Sequence, residues 1–85
     1  MKEIWILGIF ITNRVKEVSA IQPVLTKFGC TIKTRLGLHE VKNDVCARSG
    51  LILLELTGTR EDFFKLENEL LKIDGLEVKK MVFIE

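Results

Sequence analysis

The sequence predicts an α+β domain in the order strand, helix, strand, strand, helix, strand, and three observations carry that expectation. Apolar residues alternate or run continuously in four short stretches, and they recur at three- and four-residue steps in two longer ones. Gly29 and Gly75 follow the two helical stretches, where a helix is expected to end. Eighty-five residues, 47% of them hydrophobic, suffice for one core and not for two, so residues 1–85 are expected to form a single domain.

Glu3 to Ile11, E-I-W-I-L-G-I-F-I, is rich in β-branched and aromatic residues without a helical period and reads as a central strand apolar on both faces. Thr12-Asn13-Arg14 supplies cap-competent residues before Val15, Val18, Ile21, Leu25 and Phe28, the stripe of a first helix. Gly29 is the expected left-handed C-cap of that helix. Pro23 lies inside it and has no N–H for the Ser19 carbonyl, so a kink or a helix of two unequal parts is expected.

Thr31 to Leu38 alternates apolar with polar residues, as a half-exposed edge strand does. His39 to Ser49 is too polar for a core element and reads as the longest loop. Leu51 to Leu56 is a second central strand. After the Thr57-Gly58-Thr59 turn, Thr59 and Asp62 have capping-box spacing, and Phe63, Leu66, Leu70 and Ile73 form the stripe of a second helix. Asp74-Gly75 ends it, and Leu76 to Ile84 alternates as a half-buried strand. Right-handed crossovers then give a ferredoxin-like βαββαβ sandwich: a four-stranded antiparallel sheet in the order 4-1-3-2 with two helices on one face.

The other face is open, although both central strands are apolar on both sides. Either Trp5, Leu7, Ile9 and Ile11 or Ile4, Ile6 and Phe10 must point outward. A second copy is the expected cover, which makes the chain a homo-oligomer; the alternative cover is the stems of Lys33, Arg35, Lys79 and Lys80.

Thirteen basic against twelve acidic residues leave a net charge of +1, not the footprint of a nucleic-acid binder, so no direct nucleic-acid contact is expected. The apolar run Ile4 to Ile11 is too short to span a bilayer and no cleavage pattern follows it, so neither membrane insertion nor export is expected. Cys30 and Cys46 are too few for a disulfide framework, which points to reduced thiols and the cytoplasm.

Few residues offer chemistry. Thr12, Asn13 and Arg14 stand at a helix N-terminus, where an anionic group is welcome; capping by Asn13 is the simpler account, and the two are compatible. His39 and Cys46, with Glu40 and Asp44 near them, are candidate metal ligands if two subunits pool them, and otherwise belong to a solvated loop. Cys30 follows the negative end of a helix and reads as inert packing. Ile4 to Ile9 resembles the first-strand motif of RNA-recognition domains, but Leu51 to Leu56 lacks the companion aromatics, so Trp5 is read as core or interface. With no nucleophile elbow, phosphate loop or paired carboxylates, the chain is expected not to be an enzyme, and no cofactor can be named.

Asn13-Arg14-Val15, Phe28-Gly29-Cys30-Thr31-Ile32, Arg35-Leu36-Gly37 and Ile73-Asp74-Gly75-Leu76-Glu77-Val78-Lys79 resemble the ACT-like family of iron-only hydrogenase system regulators along nearly the whole chain. The resemblance implies a ferredoxin-like domain that associates side by side or through sheet faces and takes small effectors at interfaces. Val15-Lys16 departs from classical ACT domains, which often carry proline and glycine there. The ACT-like ligand-binding domain of nickel-responsive regulators uses His and Cys near its second and third strands, a pattern that His39 and Cys46 loosely resemble. The expected function is a regulatory, homo-oligomeric module with a small-molecule effector site at Thr12, Asn13, Arg14 and Arg35; the alternative is a metal-sensing or metal-handling protein using His39 and Cys46.

Overall fold

A computed structural model of the chain describes residues 2–12, 14–38, 41–42, 45–46 and 50–85, with the backbone alone for 14–16, 38, 41–42 and 45–46. The elements are β1 (Glu3–Ile11), α1 (Arg14–Lys27), β2 (Ile32–Leu38), β3 (Val41–Lys42), β4 (Val45–Cys46), β5 (Gly50–Leu56), α2 (Arg60–Leu71) and β6 (Leu76–Ile84). The main sheet runs β2-β5-β1-β6, all antiparallel, which is the expected 4-1-3-2 order of a ferredoxin-like fold. Within the stretch expected to be a plain loop, β3 and β4 pair antiparallel as a separate two-stranded ribbon.

Burial decides which side of each central strand meets the helices. Trp5, Leu7, Ile9 and Ile11 of β1 and Ile52, Leu54 and Leu56 of β5 are buried against Ile21 and Leu25 of α1 and Phe63, Leu66 and Leu70 of α2. Val18, Val24, Phe28, Ile32, Ile73, Leu76 and Val78 close the margins of this core. Ile4, Ile6, Gly8 and Phe10 therefore face the open side.

Three local expectations are corrected. α1 is one helix through Pro23, so of the two expected outcomes, a kink or two unequal parts, the second does not occur. Pro23 and Ser19 are both exposed, so the missing N–H falls on the wet face of the helix, and the fixed φ of proline suits helical backbone. Gly29 is not left-handed; the chain leaves α1 through a 3-10 turn, Gly29–Thr31, in which the Thr31 N–H donates to the Phe28 carbonyl at 2.9 Å. Cys30, in that turn, is an exposed free thiol and not packing.

The start of α2 follows the expected chemistry. The Asp62 N–H donates to the Thr59 hydroxyl oxygen at 3.2 Å, while the Thr59 hydroxyl and N–H donate to Asp62 Oδ2 at 2.9 and 3.3 Å. These bonds, the hydroxyl first, hold the Asp62 carboxyl below the usual carboxylate value. Thr59→Ala is expected to cost about 1 kcal/mol of stability in a denaturant titration, as loss of a helix N-cap does.

Candidate functional site

The connection from β1 to α1 holds the first candidate residues. Thr12 follows the last residue of β1, and its N–H donates to Glu17 Oε1 at 2.9 Å. Its hydroxyl donates to Glu17 Oε2 at 2.8 Å and stands 3.2 Å from the Gly75 carbonyl. One hydroxyl hydrogen serves the nearer, charged acceptor. Glu17 is only 4% exposed, and it lies in the first turn of α1, where a negative charge meets the positive end of the helix. The place where a bound anion was expected is thus held by a carboxylate of the chain itself. Asn13 lies outside the described residues, and of Arg14 only the backbone is described.

Gly75 forms the opposite wall. Its φ of +88° carries the turn between α2 and β6, and a Cβ there would stand 2.5 Å from Glu17 Oε2. The two turns that lead out of the β1 and α2 ends therefore pack against each other with one buried acid between them. Sequence reasoning missed Glu17; its acidic character in a first helical turn is the one local signal that could have found it.

Arg35 is exposed on β2, where its Cα is in register with Leu54 and, through it, with Leu7. Thr12 lies five residues further along β1, so strand geometry separates the two by about 20 Å within one chain. His39 lies outside the described residues, as does the side chain of Cys46, and no metal-binding group of three ligands occurs among the described residues.

The open face of the sheet is largely apolar. Ile6 is flanked by Met81 and Glu55, Gly8 by Lys79 and Leu53, and Phe10 by Glu77 and Leu51, while Leu36 adjoins Leu53. Phe10 and Leu36 are 41% and 51% exposed. A shallow apolar hollow lies at Gly8, bordered by Phe10, Leu51, Glu77 and Lys79. Of the long side chains expected to cover this face, Lys79 pairs at 3.5 Å with Glu77 and stays exposed, and Lys80 is turned to the helix side over the Trp5 ring.

A cleft of about 520 Å³ lies at the end of the sheet remote from Thr12. Its charged lining is balanced: Arg60 reaches Glu3 at 3.2 Å and Lys33 reaches Glu55 at 3.6 Å, with Lys2 and Glu85 at the rim. Residues from both ends of the chain form it, which is why no local motif announced it.

Comparison with known proteins places the fold. No family model matches the chain, and no curated protein matches it. Among solved structures it is similar to the uncharacterized protein TM1266 from Thermotoga maritima, at 24% identity and a TM-score of 0.80, covering 98% of this chain and 100% of that one. It is also similar to CPII, a nitrogen regulatory PII-like protein from Thiomonas intermedia K12 bound to ADP, AMP and bicarbonate, at 13% identity and a TM-score of 0.57, over 99% and 96% of the two chains. SnoaB, a cofactor-independent oxygenase from Streptomyces nogalater, matches at 12% identity and a TM-score of 0.59, over 100% and 94%. One fold thus serves a regulator and an oxygenase, and these likenesses speak for the ferredoxin-like architecture alone.

Proposed function

We propose that the chain is a regulatory small-ligand-binding module, not an enzyme, and that it acts as a homo-oligomer in which a second copy covers the open sheet face. The observation that carries this reading is the uncovered apolar surface of Ile4, Ile6, Phe10, Leu36, Leu51 and Leu53 on an 85-residue domain, a size that gains from association. The regulatory role draws support from the family resemblance to hydrogenase system regulators and from CPII, a nitrogen regulatory PII-like protein of similar fold. The effector site is assigned to a junction of copies at the rim of the sheet, because Arg35 and the Thr12 turn of one chain are too far apart to grip one small molecule together and Arg35, in register with Leu54 and Leu7, stands on the helix side of the β2 edge. Arg35 makes no ion pair among the described residues, which leaves its charge for an anionic group.

Light scattering on the purified protein at micromolar concentration tests the reading. The expected mass is at least twice that of the chain, and Ile6→Lys, which sets a charge in the middle of the open face, is expected to lower the mass with helix content unchanged. A wild-type monomer would overturn the proposal.

A further inference from the structure

The two edges of the sheet are built differently. β2 carries Lys33 and Arg35, both exposed, and its register with β5 shifts between Ile32 and Thr34, devices that blunt an edge against pairing. The second half of β6 has none of them. Met81, Val82, Phe83 and Ile84 follow one another at 42–63% exposure. They point alternately to the open face and to the helix side, so the apolar surface wraps around the edge itself.

The backbone of this edge is also oriented for pairing. The Glu85 N–H donates to the Lys2 carbonyl at 2.9 Å, in line with the β1–β6 register. Odd-numbered residues of β6 therefore bond to β1, and alternation sends the N–H and C=O of Lys80, Val82 and Ile84 outward.

We propose that the β6 edge is a docking surface for a second copy of this chain, paired antiparallel across a two-fold axis at Val82 to form a continuous eight-stranded sheet. A two-fold pairing that keeps outward groups opposite outward groups must be centred on a residue. Centred on Lys80 it sets lysine against lysine, centred on Met81 it sets Glu77 against Glu85, and centred on Phe83 it sets Met81 against Glu85. Centred on Val82 it sets Lys79 against Glu85 of the second copy twice, Met81 against Phe83 twice, and exchanges hydrogen bonds at Val82 and between Lys80 and Ile84. Among the centres from Lys80 to Phe83, around the apolar half of the strand, charge and apolar matching thus select one register. This surface is separate from the open face, so the inference stands apart from the ligand-binding reading.

The test uses the full chain. Val82→Pro removes an outward N–H without touching the bonds to β1, and is expected to halve the mass seen by light scattering. Lys79→Glu, which sets like charges opposite each other, is expected to weaken association at least tenfold, and Lys79→Glu with Glu85→Lys is expected to restore it. In hydrogen exchange, the amides of Lys80, Val82 and Ile84 are expected to be protected in the assembled wild type and to lose protection in Lys79→Glu, and those of Lys80 and Ile84 to lose it in Val82→Pro, where residue 82 has no N–H. Unchanged mass in Val82→Pro, or rapid exchange at these amides in the wild type, would overturn the edge pairing. An assembly lost in Ile6→Lys alone would keep the open-face contact and discard this one.

Discussion

Gly75→Ala is expected to destabilise the domain by about 3 kcal/mol, read as a lowered urea midpoint at unchanged slope. Two costs add. At φ +88° an L-residue is strained by roughly 1–2 kcal/mol. The new Cβ would also stand 2.5 Å from Glu17 Oε2 and 3.2 Å from Glu17 Cδ. That carboxylate is buried and holds both the N–H and the hydroxyl of Thr12, so moving it disrupts charge-assisted bonds worth about 1–3 kcal/mol. The two costs separate in a double-mutant cycle. In a Glu17→Ala background, Gly75→Ala should lose only the backbone part, roughly 1–2 kcal/mol, leaving a coupling of about 1 kcal/mol or more. Strict additivity would mean that Gly75 is needed for its turn and not as the wall behind Glu17.

This pair marks where the sequence stops being legible. The strand and helix periods, the Thr59–Asp62 box and the stop at Gly75 are local signals, and each is read from residues within one turn of one another. Right-handed crossovers then order the sheet. Which face of β1 meets the helices is not local, because both of its alternate sets are apolar; only the partners of Trp5 settle it. Glu17 depends on Gly75, its neighbour across the fold, and periodicity carries no information about such a contact. Pro23 was legible after all: it sits two residues from both Ile21 and Leu25, which places it on the helix face opposite the core. The candidate site was readable only as a chain position, Thr12 to Arg14, and its separation from Arg35 follows from a register that no single segment encodes.

Trp5→Ala is expected to be the most damaging single truncation, at about 3–5 kcal/mol, a large share of the roughly 4–13 kcal/mol that holds a domain of this length together. Trp5 is 2% exposed and joins three elements. Its ring centroid lies 5.3 Å from Phe63 and 5.1 Å from Phe64, the latter edge-on, so β1 and α2 meet through aromatic contact. The Lys80 ammonium of β6 stands 4.4 Å from the ring centroid and reaches Glu67 of α2 at 3.2 Å, while the indole N–H donates to Glu3 Oε1 at 2.9 Å. Graded variants apportion these contacts. Trp5→Phe keeps ring packing and gives up the indole bond and some area, and about 1–2 kcal/mol is expected from that loss. Lys80→Ala removes the cation above the ring at about 1 kcal/mol. Trp5 is the sole tryptophan, so unfolding of its variants is followed by far-ultraviolet circular dichroism. A Trp5→Ala loss no larger than that of Trp5→Phe would mean that α2 is seated by Leu66 and Leu70 and not by the ring; a loss several times larger makes Trp5 the post on which the helix layer rests.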